Sequence, residues 1–69
     1  MAIVRVEIGK RPQEQRDAII KGITEVLVAN GARPEGTEVI LYEVDMETWG
    51  KGGKTFAQRA RDAGVTLPH

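Results

Sequence analysis

The stretch Ala2-Ile3-Val4-Arg5-Val6-Glu7-Ile8 lies at the start of the chain and decides how the rest can be arranged. Positions 4, 6 and 8 are aliphatic and fall on one face, while positions 3, 5 and 7 fall on the other, which is the two-residue period of a β-strand. The first residues of a domain are usually loose, because nothing ties them down. A strand that begins at Ala2 therefore predicts an amino-terminal end that is built into a sheet, and that end becomes a candidate for function.

A helix and a second strand follow this stretch. The spacing of apolar residues predicts a helix over Pro12–Asn30, with proline suited to the first turn and Asn30-Gly31 as the stop. Its apolar stripe is formed by Ile19, Ile20, Ile23, Val26 and Leu27, and its expected wet side by Gln13, Glu14, Arg16, Asp17 and Lys21. Thr37–Val44 predicts a strand that is apolar on both faces, as in a parallel sheet covered on both sides. This order of elements predicts one βαβ unit.

The rest of the chain begins with a glycine-rich segment. Trp49-Gly50-Lys51-Gly52-Gly53 contains one large aromatic residue and three glycines, which favours a tight hairpin or an interface turn. Phe56–Ala63 is consistent with a short helix ended by Gly64 or with an irregular arm, and Val65–His69 is a tail. We therefore expect an α+β fold in a single domain over residues 1–69, made of one βαβ unit with a C-terminal glycine-rich turn and arm.

Size and composition favour assembly with other subunits. A chain of 69 residues is marginally stable alone, and proteins of this size usually add disulfides, a metal or partner chains. The absence of cysteine removes disulfides and thiolate zinc sites, and a single histidine, His69, removes a histidine metal cluster. A two-stranded sheet is also unstable by itself. We expect an oligomer of parallel or mixed sheets, with no metal and no cofactor.

Charge and hydropathy argue against several classes of partner. Lys+Arg and Asp+Glu number 10 each, so the formal net charge is zero and a basic nucleic-acid-binding surface is not expected. No apolar run approaches the ~18 residues of a membrane span. The amino-terminal end also lacks the charged and then apolar layout of a signal peptide. The expected location is the cytoplasm.

Few residues form a pattern that predicts chemistry. Gly50–Thr55 ends in Gly-Lys-Thr, but a phosphate loop would require glycine where Thr48 stands. The carboxylates Glu7, Glu38 and Glu43 show no spacing of an acid–base pair. We interpret them as solvated strand ends or as interface salt bridges.

Arg5, Arg11 and Trp49 each allow two interpretations. Arg5 could bind an anion, although an arginine on a strand is more often an interface or edge residue. Arg11, at the start of the predicted helix, could face a substrate carboxylate or could simply be a loop charge. Trp49 could line a pocket or could pack in a core or against another subunit.

The layout resembles the 4-oxalocrotonate tautomerase family, whose chains are of roughly this size, consist of one βαβ unit and assemble as hexamers. The resemblance covers about Ala2–Gly53 and depends on the amino-terminal strand, the helix near Arg11, the second strand and the aromatic-Gly-x-Gly-Gly segment that begins at Trp49. Three further residues fit the family pattern: Gln15, Pro34 and Glu43. The resemblance implies a homo-hexamer, a trimer of dimers, that acts on a small carboxylate-bearing molecule.

The resemblance also implies a mechanism. In that family the base is an amino-terminal proline exposed by methionine removal. An ordinary α-amino group has a pKa of about 8, and an apolar pocket with nearby cations lowers it, so that the neutral amine accepts a proton from carbon at pH 7. Arginines bind the substrate carboxylates and stabilise the developing enolate. An aromatic residue near the Gly-Gly turn keeps the pocket dry.

This sequence departs from the family at the base and at one anion site. Position 2 is Ala2 rather than proline, so the resemblance implies a primary amine as base once Met1 is removed. If Met1 is retained, its side chain is expected to occupy the pocket. Glu38 stands where a substrate-binding arginine is usual, whereas Arg11 matches the loop arginine and Trp49 the pocket aromatic.

Three functions are compatible with these residues. The first is a keto-enol tautomerase of small 2-oxo or 2-hydroxydienoate acids, with weak activity because Ala2 replaces proline. The second is a non-catalytic binding or assembly subunit on the same scaffold. The third, an unrelated small oligomeric βαβ protein, agrees least with the combination of size, element order and Gly-Gly turn.

Overall fold

The computed structural model describes residues 1–64, and the predicted tail Val65–His69 lies outside them. The elements are, in chain order, strand β1 (Ala2–Ile8), helix α1 (Gln13–Ala29), a 3-10 turn (Pro34–Gly36), strand β2 (Thr37–Glu43), short strands β3 (Gly50–Lys51) and β4 (Lys54–Thr55), and helix α2 (Phe56–Ala63). The predicted α+β fold and its βαβ unit are confirmed. Strands β1 and β2 and helices α1 and α2 lie where the sequence predicts them.

Strands β1 and β2 are parallel and in full register. Ala2 aligns with Thr37 at one end, and Ile8 aligns with Glu43 at the other. Parallel neighbours require a crossover, and α1 provides it, packing mainly against β2. Because the strands are parallel, their carboxyl ends lie at the same edge of the sheet, and α1 begins at that edge.

Local signals account for the two ends of α1. The helix is one residue shorter at each end than predicted, since Pro12 is its N-cap and Asn30 its C-cap. Gly31 adopts φ +105°, a conformation that glycine tolerates, and thereby ends the helix. The amide of Ala32 donates to the carbonyl of Leu27 over 3.0 Å, so the last turn is closed in the manner of a Schellman cap.

Helix α1 covers one face of the β1–β2 sheet and leaves the other bare. The bare side, called here the outer sheet face, carries six exposed residues: Ile3, Arg5, Glu7, Glu38, Ile40 and Tyr42. One chain therefore leaves one side of β2 uncovered, and 46% of Tyr42 is exposed. The reason is geometric, because one crossover helix covers only one side of a sheet.

The segment from Gly50 onward forms a hairpin and a helix, which is one of the alternatives predicted for each part. Gly52 and Gly53 have φ of +63° and +86°, the conformation of a tight two-residue hairpin turn. The Thr55 hydroxyl then accepts the amide of Gln58 over 3.0 Å and caps α2. Gly64, at φ +72°, follows the helix. We call Trp49–Gly64 the arm.

The chain is elongated and has almost no core of its own. Its radius of gyration is 15.4 Å, whereas a compact chain of this length would have about 11 Å. Within residues 1–64, Ala60 is the one buried apolar residue. No helix in that part of the chain has the length and apolar character needed to cross a bilayer.

The bare outer sheet face predicts self-association. We expect light scattering to give a mass that is a multiple of the 7.6 kDa chain. The reason is that Ile3, Ile40 and Tyr42 are exposed, and burying their apolar surface against another subunit is favourable in free energy. A well-folded species of single-chain mass would contradict this expectation.

Candidate functional site

Ala2 lies at the very start of β1, next to Thr37 of β2, and is half-buried. Met1 precedes the strand and its side chain is fully exposed. The expectation that a retained Met1 fills a pocket concerns a site assembled from more than one chain, and it stays a prediction. Removal of Met1 would leave the amine of Ala2 at the first residue of the sheet.

Glu38 lies near the same end of the sheet. It aligns with Ile3, the residue after Ala2, and is exposed on the outer sheet face. Its carboxylate makes no hydrogen bond or ion pair with the rest of residues 1–64. In the register of the sheet, the negative charge of Glu38 is therefore one strand position away from Ala2, the residue that carries the candidate amine.

Arg11 and Trp49 lie beyond the opposite end of the sheet. Arg11 comes three residues after the end of β1, and Trp49 comes six residues after the end of β2. Since each strand residue advances about 3.3 Å, the six steps from Ala2 to Ile8 separate the two ends by about 20 Å. One chain therefore does not bring the four predicted site residues together, and a second chain running in the opposite direction would be needed to do so.

The strongest polar contacts of this chain surround Glu43, at the carboxyl end of β2. Its Oε2 atom accepts the backbone amide of Arg11 over 2.8 Å and Nε of Arg16 over 2.6 Å. Its Oε1 atom lies 2.6 Å from Nη2 of Arg16, so that pair is bidentate. The side chains of Arg16 and Glu43 are 30% and 22% exposed, and the ion pair is partly shielded from water.

This ion pair corrects two sequence predictions. Arg16 does not belong to the wet side of the helix, and the Glu43 carboxylate at the end of β2 is paired with Arg16 rather than solvated. The parallel topology explains both outcomes. The first turn of α1 lies over the carboxyl end of β2, where Glu43 ends the strand, so the two side chains meet.

The contacts of Glu43 shift its ionisation. The hydrogen bond from Arg16, followed by the backbone amide of Arg11, holds the pKa of the Glu43 carboxyl below its ordinary value of 4.5. The positive end of the α1 dipole favours a carboxylate at the same place. Glu43 is therefore anionic at neutral pH.

Trp49 packs inside the arm. Its ring meets that of Phe56 edge to face, with centroids 5.5 Å apart and planes at 82°. The Phe56 amide also donates to the Trp49 carbonyl over 2.8 Å. The packing interpretation of Trp49 thus describes its contacts within one chain, while its place in a pocket stays a prediction.

Two further features were not predicted from the sequence. A shallow depression of about 560 Å³ on the outer sheet face is lined by Arg5, Glu7 and Tyr42. The ion pair Lys54–Asp62 joins α2 to β4 at 3.0 Å, and the ion pair Arg61–Glu47 joins α2 to the loop before the arm at 2.7 Å. All four side chains are well exposed. Among residues 1–64, no group of three potential ligands converges for a metal ion.

Comparison with known proteins identifies relatives that share this architecture. A family model described as "Tautomerase enzyme" matches residues 3–59. A probable tautomerase from Dickeya dadantii (strain 3937) is 36% identical over 66 residues, covering 91% of this chain and 98% of its own.

Solved structures of similar chains agree with the fold. TomN, a 4-oxalocrotonate tautomerase homologue of the tomaymycin biosynthetic pathway, is 26% identical and superimposes with a TM-score of 0.79 over 86% of this chain and 94% of its own. A 4-oxalocrotonate tautomerase isozyme of Methylibium petroleiphilum is 25% identical, with a TM-score of 0.77 over 90% of this chain and 98% of its own.

The lowered pKa of Glu43 predicts a pH-dependent contribution to stability. We expect Glu43→Gln to reduce the free energy of unfolding at pH 7, as measured by urea denaturation at one fixed protein concentration. Because the pKa is lower in the folded state, this contribution is present above about pH 4.5 and disappears as the pH falls through the folded value.

Glu25→Gln, at an exposed position of α1, is the matched control. It should leave the unfolding free energy within about 0.5 kcal/mol of wild type. A Glu43→Gln difference that stays constant down to the lowest pH would contradict the role assigned to the ion pair.

Proposed function

The chain belongs to the tautomerase family, and on this premise we propose that it is a keto-enol tautomerase of small 2-oxo or 2-hydroxydienoate acids. The proposed base is the amine of Ala2 after removal of Met1. The observation that carries the proposal is the position of Ala2, which is half-buried as the first residue of β1. The processed amine would be held by the sheet rather than by a loose tail.

A small side chain at position 2 supports processing, because methionine is normally removed before a small residue such as Ala2. The resulting amine is primary, whereas the resemblance implies a secondary ring amine. Without the ring, the direction of the lone pair is less fixed, so proton transfer gains less from orientation. We therefore expect a turnover rate that is measurable above buffer but low.

The proposed reaction moves one proton. The neutral amine accepts a proton from a substrate carbon next to the carbonyl, and the electrons of the broken C–H bond form an enolate. The ammonium group then gives the proton to the enolate oxygen, which forms the enol, or to another carbon of the conjugated system. Ketonisation of an enol runs the first of these routes in reverse, with loss of the hydroxyl proton and protonation of the carbon. Desolvation of the Ala2 amine would favour its neutral form, which is the form that acts as base.

Arg11 is the proposed carboxylate-binding residue. Within residues 1–64 its guanidinium makes no ion pair, so it is free to bind an anion. It lies beyond the far end of β1, whose two ends are about 20 Å apart, and the proposed site therefore combines the Ala2 end of one chain with the Arg11 and Trp49 end of another. A homo-hexamer built as a trimer of dimers would provide such pairs, and the proposed location is the cytoplasm.

Glu38 is proposed to select among substrates. Its exposed carboxylate stands beside the amine end of the sheet and would repel a second substrate carboxylate placed there. A monocarboxylate avoids this repulsion. The proposal thus favours substrates with one carboxylate and a neutral far end over dicarboxylates.

Intact mass and turnover test this proposal together. We expect purified protein to lack Met1 and to ketonise phenylenolpyruvate, a monocarboxylate, faster than buffer, as followed by absorbance. Protein that retains Met1, or a rate equal to buffer, would remove base catalysis by Ala2. The second interpretation, a binding or assembly subunit, would then be tested by titration with the same acid.

Ala2→Pro tests whether the rest of the site is sound. The ring amine should raise kcat/KM on the order of 10- to 100-fold, a fraction of the 10²–10⁴ that a general base contributes. Ala2→Ser is the matched control, because it keeps a primary amine and still permits methionine removal. No gain from proline would indicate that Glu38 or another residue prevents productive binding.

A further inference from the structure

We infer that Glu43 and Arg16 act as positioning residues for Arg11: Glu43 fixes the Arg11 backbone, and Arg16 keeps Glu43 from capturing the Arg11 guanidinium. This inference rests on the proposed function, in which that guanidinium binds the substrate carboxylate. It assigns a role to the one partly shielded ion pair of the described chain, a role that the proposed proton transfer alone does not require.

The first part of the inference concerns the backbone. Arg11 lies just before the N-cap of α1, where its amide has no partner in the helix. Glu43 Oε2 supplies that partner over 2.8 Å. Pro12 follows and restricts the backbone of Arg11 to extended conformations. The backbone of Arg11 is thus constrained on both sides, and this limits the position and direction of its Cα–Cβ bond.

The loop before Arg11 is also held close to β2. The amide of Val44 donates to the carbonyl of Ile8 over 2.9 Å, so the chain leaves β1 beside the end of β2. Gly9 lies against Met46 of the segment after β2, since a Cβ added at Gly9 would lie 3.3 Å from the Met46 methyl group. Glu43 therefore acts on a segment that already has few alternatives.

The second part concerns charge. Glu43 is the carboxylate hydrogen-bonded to the Arg11 segment, and an unpaired Glu43 would attract the Arg11 guanidinium. Arg16 prevents this by engaging both carboxylate oxygens, at 2.6 Å each. Gln13 accepts Nη1 of Arg16 over 3.1 Å and fixes the arginine in place. One cation is neutralised, and the other stays available for substrate.

Three variants test the charge argument by steady-state kinetics with a monocarboxylate substrate, and a fourth serves as their control. Arg16→Met frees Glu43 and should raise KM about tenfold with kcat within about twofold. Arg16→Lys, which keeps the charge, should recover most of the loss. In the double variant Arg16→Met/Glu43→Gln no free carboxylate remains, so KM should fall below that of Arg16→Met alone.

Lys21→Met is the matched control, because it removes a cation from an exposed position of the same helix. Its KM should stay within about twofold of wild type. A double variant with a KM equal to or above that of Arg16→Met would overturn the charge argument, since an unpaired Glu43 carboxylate would then not account for the loss. An equal effect of Lys21→Met would overturn it as well.

Amide hydrogen exchange tests the backbone argument without any turnover. The Arg11 amide should exchange at least tenfold faster in Glu43→Ala, and less so in Glu43→Gln, whose amide oxygen can still accept. Unchanged exchange in Glu43→Ala would overturn the positioning role. If wild type itself shows no turnover, the proposed function fails, while the exchange result still decides whether Glu43 holds Arg11.

Discussion

Two parallel strands joined by one helix impose the constraint on which the rest of this structure depends. The crossover helix must begin where β1 ends, and in a parallel pair that is also where β2 ends. The first turn of α1 and the last residue of β2 are therefore neighbours. The contact between Arg16 and Glu43 is a direct result of this topology, and so is the bare outer sheet face on the side that the helix does not reach.

The same constraint divides the candidate site. Strand starts and strand ends lie at opposite edges of a parallel sheet, so the Ala2 end and the Arg11 end cannot meet within one chain. A single chain of this fold therefore carries the candidate site residues at two separate ends and does not bring them together. Any activity that uses both ends depends on a second subunit. The exposed apolar residues of the outer sheet face offer a surface for contact with such a subunit.

Local patterns were enough to predict most of the fold. The alternation over Ala2–Ile8, the stop at Asn30-Gly31 and the Gly52-Gly53 turn each depend on short-range sterics, and each appears where the sequence indicates. The Arg16–Glu43 contact was missed, because it joins residues 27 positions apart and follows from strand direction rather than from spacing.

The nearly absent core has a consequence for how this protein exists at different concentrations. With Ala60 as the one buried apolar residue in residues 1–64, a lone chain gains little free energy from closing on itself. If burial between subunits supplies the missing stabilisation, folding and association become one equilibrium, and its midpoint moves with the amount of protein present. Dilution would then act as a denaturant, and a cell that makes too little of the chain would hold it unfolded rather than as an inactive monomer.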